Sequence, residues 1–163
     1  MARDKHFKVW LDGKIVDPEH ATLSVFTLTV LRGANVYEGL RAYWNPSARQ
    51  LYVWKLDEHL KRLGNSMKVM RMQLPYSLEE LREAILDWLR ANAFCDDVHF
   101  RLVAYFGDGG SGGVKAYRPE EIDTGAFILG GPRPHDAKLE RGLTMGVATW
   151  RRIADDVVPA RVK

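Results

Sequence analysis

From residue 56 to residue 94 the apolar side chains recur every three or four positions, while on either side they alternate or gather in short runs. A period that changes from two to about 3.6 and back predicts strands, then helices, then strands. Elements segregated in that order make an α+β domain, with helices packed on a largely antiparallel sheet. In LDEHLKRLGNSMKVM (56–70), Leu56, Leu60, Leu63, Met67 and Met70 share one helix face. SLEELREAILDWLRANAF (77–94) opens on the capping-box pair Ser77 and Glu80, with Pro75 just outside. Its predicted buried stripe is Leu78, Leu81, Ile85 and Trp88 or Leu89.

The flanking strands follow from alternation and turn chemistry. FKVWLDGKIV (7–16) predicts a hairpin about Asp12-Gly13. TLSVFTLTV (22–30) fits an extended segment, and Gly33 breaks the chain before a strand at NVYEGLRAYW (35–44). LYVW (51–54) is expected to pair with it across the polar turn NPSARQ. Three further strands are predicted at VHFRLVAYF (98–106), GAFILGG (125–131) and LTMGVATW (143–150). No internal repeat or low-complexity segment interrupts this order.

Composition narrows the function classes. The 24 Lys and Arg against 21 Asp and Glu leave a net +3, with the basic residues scattered. A nucleic-acid surface needs them clustered, so no nucleic-acid partner is expected. The single cysteine, Cys95, excludes an intrachain disulfide framework and fits a reducing, cytoplasmic compartment. MARDKHFKVWLDG lacks the apolar stretch of a signal peptide, and no run of apolar residues is long enough for a membrane span.

Few stretches carry chemistry. GDGGSGG (107–113) lacks the Gly-Lys-Ser/Thr ending and the following helix of a phosphate loop, and reads as a flexible loop. His6, His20, His59, His99 and His135 are too dispersed for a metal site. What stands out is arginine among apolar residues: Arg41 after VYEGL, Arg101 inside HFRLVAYF, and Arg62 beside His59 and Ser66 on the flank of the first helix. A guanidinium at the margin of a core demands an anion. For any one of them a salt bridge to a carboxylate such as Glu38 or Glu58 satisfies that demand as well as a ligand does.

Four motifs extend the argument: YEGLR (37–41), the H-x-x-R-L of EHLKRL (58–63), FRLVAYFGDGG (100–110) and TWRRIADDVVPARVK (149–163). In this order and at these separations the chain resembles the class IV aminotransferases, and among them the branched-chain amino acid aminotransferase group. The resemblance runs from VWLDGKIV to Lys163. It implies the small N-terminal domain of a fold-type IV enzyme that uses pyridoxal 5'-phosphate. Residues 1–150 would form that domain and residues 151–163 an inter-domain segment, with a second domain to follow. Lys163, thirteen residues after Trp150, matches the catalytic lysine that anchors the cofactor; the structural alternative is a lysine without special role. Arg62 matches the arginine on the cofactor phosphate. Arg101 matches a position near the substrate carboxylate, Tyr37 an aromatic residue of the substrate pocket, and Arg41 closes the same strand motif.

The resemblance implies transfer of an amino group from an amino acid or amine to a 2-keto acid, and a homodimer. Several pocket positions depart from the branched-chain pattern: Arg32 and His99 stand where tyrosines are usual, and Gly130 and Arg133 where aromatic residues line the pocket. Lost apolar walls and added cations weaken selection for a plain aliphatic side chain. A D-amino acid or (R)-amine transaminase on the same domain is therefore an alternative, an aminodeoxychorismate lyase a more distant one, and a non-catalytic truncated domain that only binds partners a third.

Overall fold

Asp12 and Gly13, with φ of 45° and 87°, take the left-handed conformations that a two-residue hairpin turn requires. In the computed structural model, which describes residues 7–109, 118, 121–133, 138–157, 159 and 161–163, they join β1 (Val9–Leu11) to β2 (Lys14–Val16). The Asp12 carboxylate then locks the turn to the sheet. Its Oδ1 accepts from the Ala126 N–H at 2.8 Å and its Oδ2 from the Tyr105 hydroxyl at 2.6 Å.

The remaining strands are β3 (Asn35–Asn45), β4 (Gln50–Val53), β5 (Val98–Phe106) and β6 (Thr124–Pro132). They form one six-stranded sheet in the order β2-β1-β6-β5-β3-β4, antiparallel at every pairing. Short α1 (Leu28–Arg32) precedes β3, and the long helices α2 (Leu56–Val69) and α3 (Leu78–Asn92) follow β4. The α+β architecture expected from the sequence is the one observed.

Both long helices cover one face of the sheet. Leu60, Leu63, Leu81, Ile85, Trp88 and Leu89 meet Val36, Leu40, Phe100, Leu102 and Ile128 in a single buried cluster. Trp88 is its largest fully buried side chain, 5.4 Å ring to ring from both Phe94 and Phe100, with its Nε1–H donating to the Lys8 carbonyl at 2.6 Å. Burying a side chain of this size contributes about 3 kcal/mol. The capping box at α3 is complete: the Glu80 N–H donates to Ser77 Oγ, and Ser77 N–H to the Glu80 carboxylate.

Four local expectations are corrected. Residues 22–30 are not extended: the chain turns at Ser24–Thr27, where Thr27 Oγ1 donates to the Ser24 carbonyl, and Leu28 starts α1, which Gly33 ends at φ 65°. The apolar residues there do not alternate inward and outward, because Leu28 is buried while Val25, Phe26, Val30 and Leu31 are exposed. Residues 143–150 form no strand; Leu143, Met145, Val147 and Trp150 are exposed, and a strand needs a neighbour this segment lacks among the described residues. Leu78, at the first turn of α3, and Met70, one residue beyond α2, lie at the ends of their stripes and stay exposed. The single turn α4 (Lys138–Arg141) was not foreseen. Most of the Gly-rich segment 107–113, together with His6 and His135, lies outside the described residues.

Candidate active site

Alternation along β3 divides its side chains between two faces. Val36, Glu38, Leu40 and Ala42 point into the helix-covered core, and Tyr37, Gly39 and Arg41 to the open face. The antiparallel register sets Gly39 opposite Arg101 and Arg41 opposite His99. Directly opposed residues share a face, so Tyr37, Arg41, His99 and Arg101 gather on the open side. The Arg101 Cζ lies 5.4 Å from the centre of the Tyr37 ring. His99 leans over Gly39, its Nε2 3.6 Å from where a Cβ would stand.

The carboxyl-terminal segment reaches the same place. β4 pairs with β3 only from Ala42 to Asn45, which leaves the edge of β3 near Tyr37 without a strand. Lys163 takes that edge: the Tyr37 N–H donates to its carbonyl at 2.7 Å, and its Nζ stands 5.4 Å from the centre of the Tyr37 ring. The preceding residue, Val162, is partly buried against the core and closes a turn through its N–H to the Pro159 carbonyl. Apolar packing and a backbone bond thus seat the residue while the amine stays exposed.

Arg62 is built on the opposite side of β3. Glu38 is 1% exposed on the core face, and two residues of α2 converge on it. Arg62 Nε donates to Oε1 at 2.7 Å, Arg62 Nη2 donates to Oε2, and His59 Nδ1 lies 2.9 Å from Oε2. Burial alone would raise the Glu38 carboxyl. Hydrogen bonds from Arg62 and His59, with their charge, outweigh it and hold the group below its ordinary range. For Arg62 the plain salt bridge considered in the sequence is therefore present, and with Glu38. Its guanidinium is half exposed, and Nη1 makes none of these bonds.

Electrostatics of the open face point the other way. Among the described residues no carboxylate lies within ion-pairing distance of Arg32, Arg41, Arg101 or Arg133. Burial first, and then Arg133, Arg41, Arg101 and Lys163, push the His99 imidazole below its ordinary value. Arg133 joins this group from the end of β6, where its N–H donates to the Asp97 carbonyl at 2.7 Å. Six of the eight residues singled out in the sequence therefore meet around one patch: Tyr37, Arg41, His99, Arg101, Arg133 and Lys163. Arg62 reaches the neighbouring residue from behind. Arg32, in the last turn of α1, is exposed and is not brought to the patch by any contact.

Two residues were not singled out as site residues. Glu38 sits at an inward position between Val36 and Leu40, and an acid within a buried alternation signals a specific cation partner. His59 lies one turn before Arg62 on α2 and completes the grip on Glu38. Elsewhere, Asp17, Glu19 and His20 bring ligand atoms within 4.8 Å of one another, but all three are exposed and nothing encloses them.

The chemistry of the donors fits a phosphorylated aldehyde. Lys163 offers an exposed primary amine without a carboxylate partner among the described residues, and Arg62 offers a guanidinium edge whose Nη1 makes no hydrogen bond among the described residues. The residues that hold them, Tyr37 and Glu38, are consecutive in β3, and their side chains leave the strand on opposite faces. The cationic open face suits a carboxylate.

Comparison with known proteins gives the family. The family model described as amino-transferase class IV matches residues 35–163. A probable branched-chain-amino-acid aminotransferase of Aquifex aeolicus is 35% identical over 158 residues, covering 94% of this chain and 48% of its own. The branched-chain-amino-acid aminotransferase of Escherichia coli K12 is 30% identical over 164 residues, covering 100% and 52%. Among solved structures, the branched-chain aminotransferase of Thermoproteus uzoniensis with norvaline superposes with a TM-score of 0.83 at 35% identity, over 95% of this chain and 50% of its own. The branched-chain amino acid aminotransferase of Thermobaculum terrenum, in its PLP-form, gives 0.77 at 27% identity, over 96% and 50%. The chain spans about half the length of these relatives. Matched by the family model over most of its residues, the chain belongs to the class IV aminotransferase family.

Proposed function

We propose that this chain forms the smaller domain, residues 1–150, and the lysine-bearing segment, residues 151–163, of a pyridoxal 5'-phosphate-dependent transaminase of the branched-chain type. The enzyme would move an amino group from an amino acid to a 2-keto acid. The observation that carries this reading is the seat of Lys163: an exposed amine fixed at the open edge of β3, over Tyr37 and beside a group of arginines with no carboxylate partner among the described residues.

Bound pyridoxal phosphate supplies the electron sink. This chain's residues supply position, charge and a proton carrier. Lys163 would anchor the cofactor aldehyde and hold or move a proton at Nζ. Arg62 would hold the phosphate with the edge of its guanidinium not used by Glu38. Arg101 binds the substrate carboxylate, and the Tyr37 ring walls the pocket and limits where Nζ can swing. Arg41, His99 and Arg133 line the remaining wall, and Arg32 is the sixth pocket candidate. The relatives' doubled length supports a second domain of comparable size completing the site. The family resemblance supports a homodimer working in the cytoplasm.

The test is covalent. Borohydride reduction in the presence of pyridoxal phosphate, followed by peptide mass spectrometry, is expected to place the cofactor's mass on Lys163, and Lys163→Ala to abolish both that label and the visible absorbance of bound cofactor. A label on another lysine, or absorbance unchanged in the variant, rejects the reading.

A further inference from the structure

Glu38 has no place in the chemistry outlined above, yet it is among the most thoroughly buried side chains of the protein. It occupies an inward position of β3 between Val36 and Leu40, where an apolar residue would serve the core at least as well. Instead the fold buries a carboxylate at 1% exposure and surrounds it with two residues of α2. Arg62 grips it side-on, Nε to Oε1 and Nη2 to Oε2, and His59 Nδ1 holds Oε2 from the next turn.

A side-on grip fixes more than a charge. Arg62 has a long side chain, and half of it is exposed; without a partner its guanidinium would sample many orientations. Two parallel hydrogen bonds to one carboxylate fix the plane of the group and leave Nη1 as the outward edge. A ligand phosphate then meets a guanidinium whose ordering has already taken place. Lysine could not replace this arrangement, since a single ammonium has no second edge to present.

We propose that Glu38 is a positioning residue for the cofactor phosphate. Its buried carboxylate, steadied by His59, aims Arg62 Nη1 at a phosphate monoester. The inference rests on the transaminase reading, and its test separates the two.

The experiment compares two aldehydes, pyridoxal phosphate and pyridoxal, by absorbance titration of the protein and of Glu38→Gln. Glutamine keeps the shape and removes the charge. The expected result is pyridoxal phosphate bound about ten-fold more weakly, the scale seen when outer-shell partners of metal ligands are lost, with pyridoxal affinity unchanged. Unchanged pyridoxal binding also reports that the variant is folded. Combining Glu38→Gln with Arg62→Ala should add little to Arg62→Ala alone, because the carboxylate acts through the arginine. If both aldehydes weaken together, or neither does, the positioning role is overturned while the transaminase reading stands. If neither aldehyde labels Lys163 in the unmodified protein, the transaminase reading falls and this inference with it. Should Glu38→Gln fail to fold, Arg62→Lys serves: it keeps the charge but cannot meet both carboxylate oxygens while leaving an outward edge. Retention of the phosphate preference in Arg62→Lys overturns the proposal.

Discussion

The Tyr37 N–H donates to the Lys163 carbonyl at 2.7 Å, so Lys163 behaves as one more rung on the edge of β3. The bond comes from the backbone, whereas the aromatic seat for Nζ comes from the side chain of the same tyrosine. Position and environment of the amine are therefore set by one residue through two independent means. Val162, partly buried against the core, holds the segment down beside them.

Val162→Asp is expected to release that seat. A carboxylate placed against apolar neighbours costs about 1 kcal/mol or more even at a partly open site, which is comparable with the net value of one hydrogen bond. Hydrogen exchange at the Tyr37 amide should then accelerate about ten-fold, with exchange in α3 unaltered. An unchanged rate at Tyr37 would mean that Val162 contributes nothing to holding Lys163.

How much of this was legible in the sequence depended on the range of the interactions. The hairpin at Asp12-Gly13 and both long helices were readable because turn chemistry and a 3.6-residue period are local properties. Residues 22–30 misled because Leu28 is buried through a contact remote in sequence, its N–H donating to the Gly107 carbonyl at 2.8 Å, while its apolar neighbours stay exposed. Residues 143–150 carry strand-like alternation but no partner strand among the described residues, and alternation alone cannot supply one. Within the site, Arg62 was visible as a cation on an apolar flank, and Glu38 as one of two carboxylates able to meet it. The register that sets Arg41 against His99 was not visible, since it depends on pairing between distant strands.

Stability should report the Glu38 pair through pH. The Glu38 carboxyl is held below its ordinary 4.5, so the unfolded chain takes up its proton first as the solution is acidified. The pair's contribution is whole above 4.5 and is lost as pH falls through the folded value. Glu38→Gln is expected to cost about 1 kcal/mol at neutral pH, a charged hydrogen-bond contribution reduced because the guanidinium is half exposed. Urea midpoints for the two proteins should converge as pH falls below 4.5 and through the folded value. A gap that stays constant over that range would exclude the linkage.

His99 titrates in the opposite chemical sense but with the same sign for folding. Burial and the neighbouring Arg133, Arg41, Arg101 and Lys163 keep its imidazole below 6.5. Below that pH the unfolded chain binds the proton more readily, and stability falls as pH decreases towards the folded value. Imidazole resonances followed by NMR should give a His99 midpoint under 6.5. In Arg133→Ala the midpoint should rise without reaching 6.5, because burial and three cations remain. A midpoint insensitive to Arg133 would place that guanidinium away from the cluster.

Gly130 stands where the family resemblance leads one to expect an aromatic residue, and the sheet leaves no room for a side chain there. A Cβ built there would stand 2.6 Å from both the Cα and the Cβ of Phe100 and would overlap the His99 carbonyl oxygen. Most of that obstruction is backbone, which cannot rotate aside as a flexible side chain would. Glycine is thus a consequence of how closely β6 approaches β5. Gly130→Ala should force the two strands apart at His99 and cost about 2 kcal/mol, in the range for overpacked cores. Gly146→Ala is the control: nothing lies within 4 Å of its added methyl, and the change should stay within about 0.5 kcal/mol. Because the strain falls on His99 and Phe100, the His99 midpoint should move in Gly130→Ala and not in Gly146→Ala. Equal stability of the two variants would show that β6 can yield at Gly130.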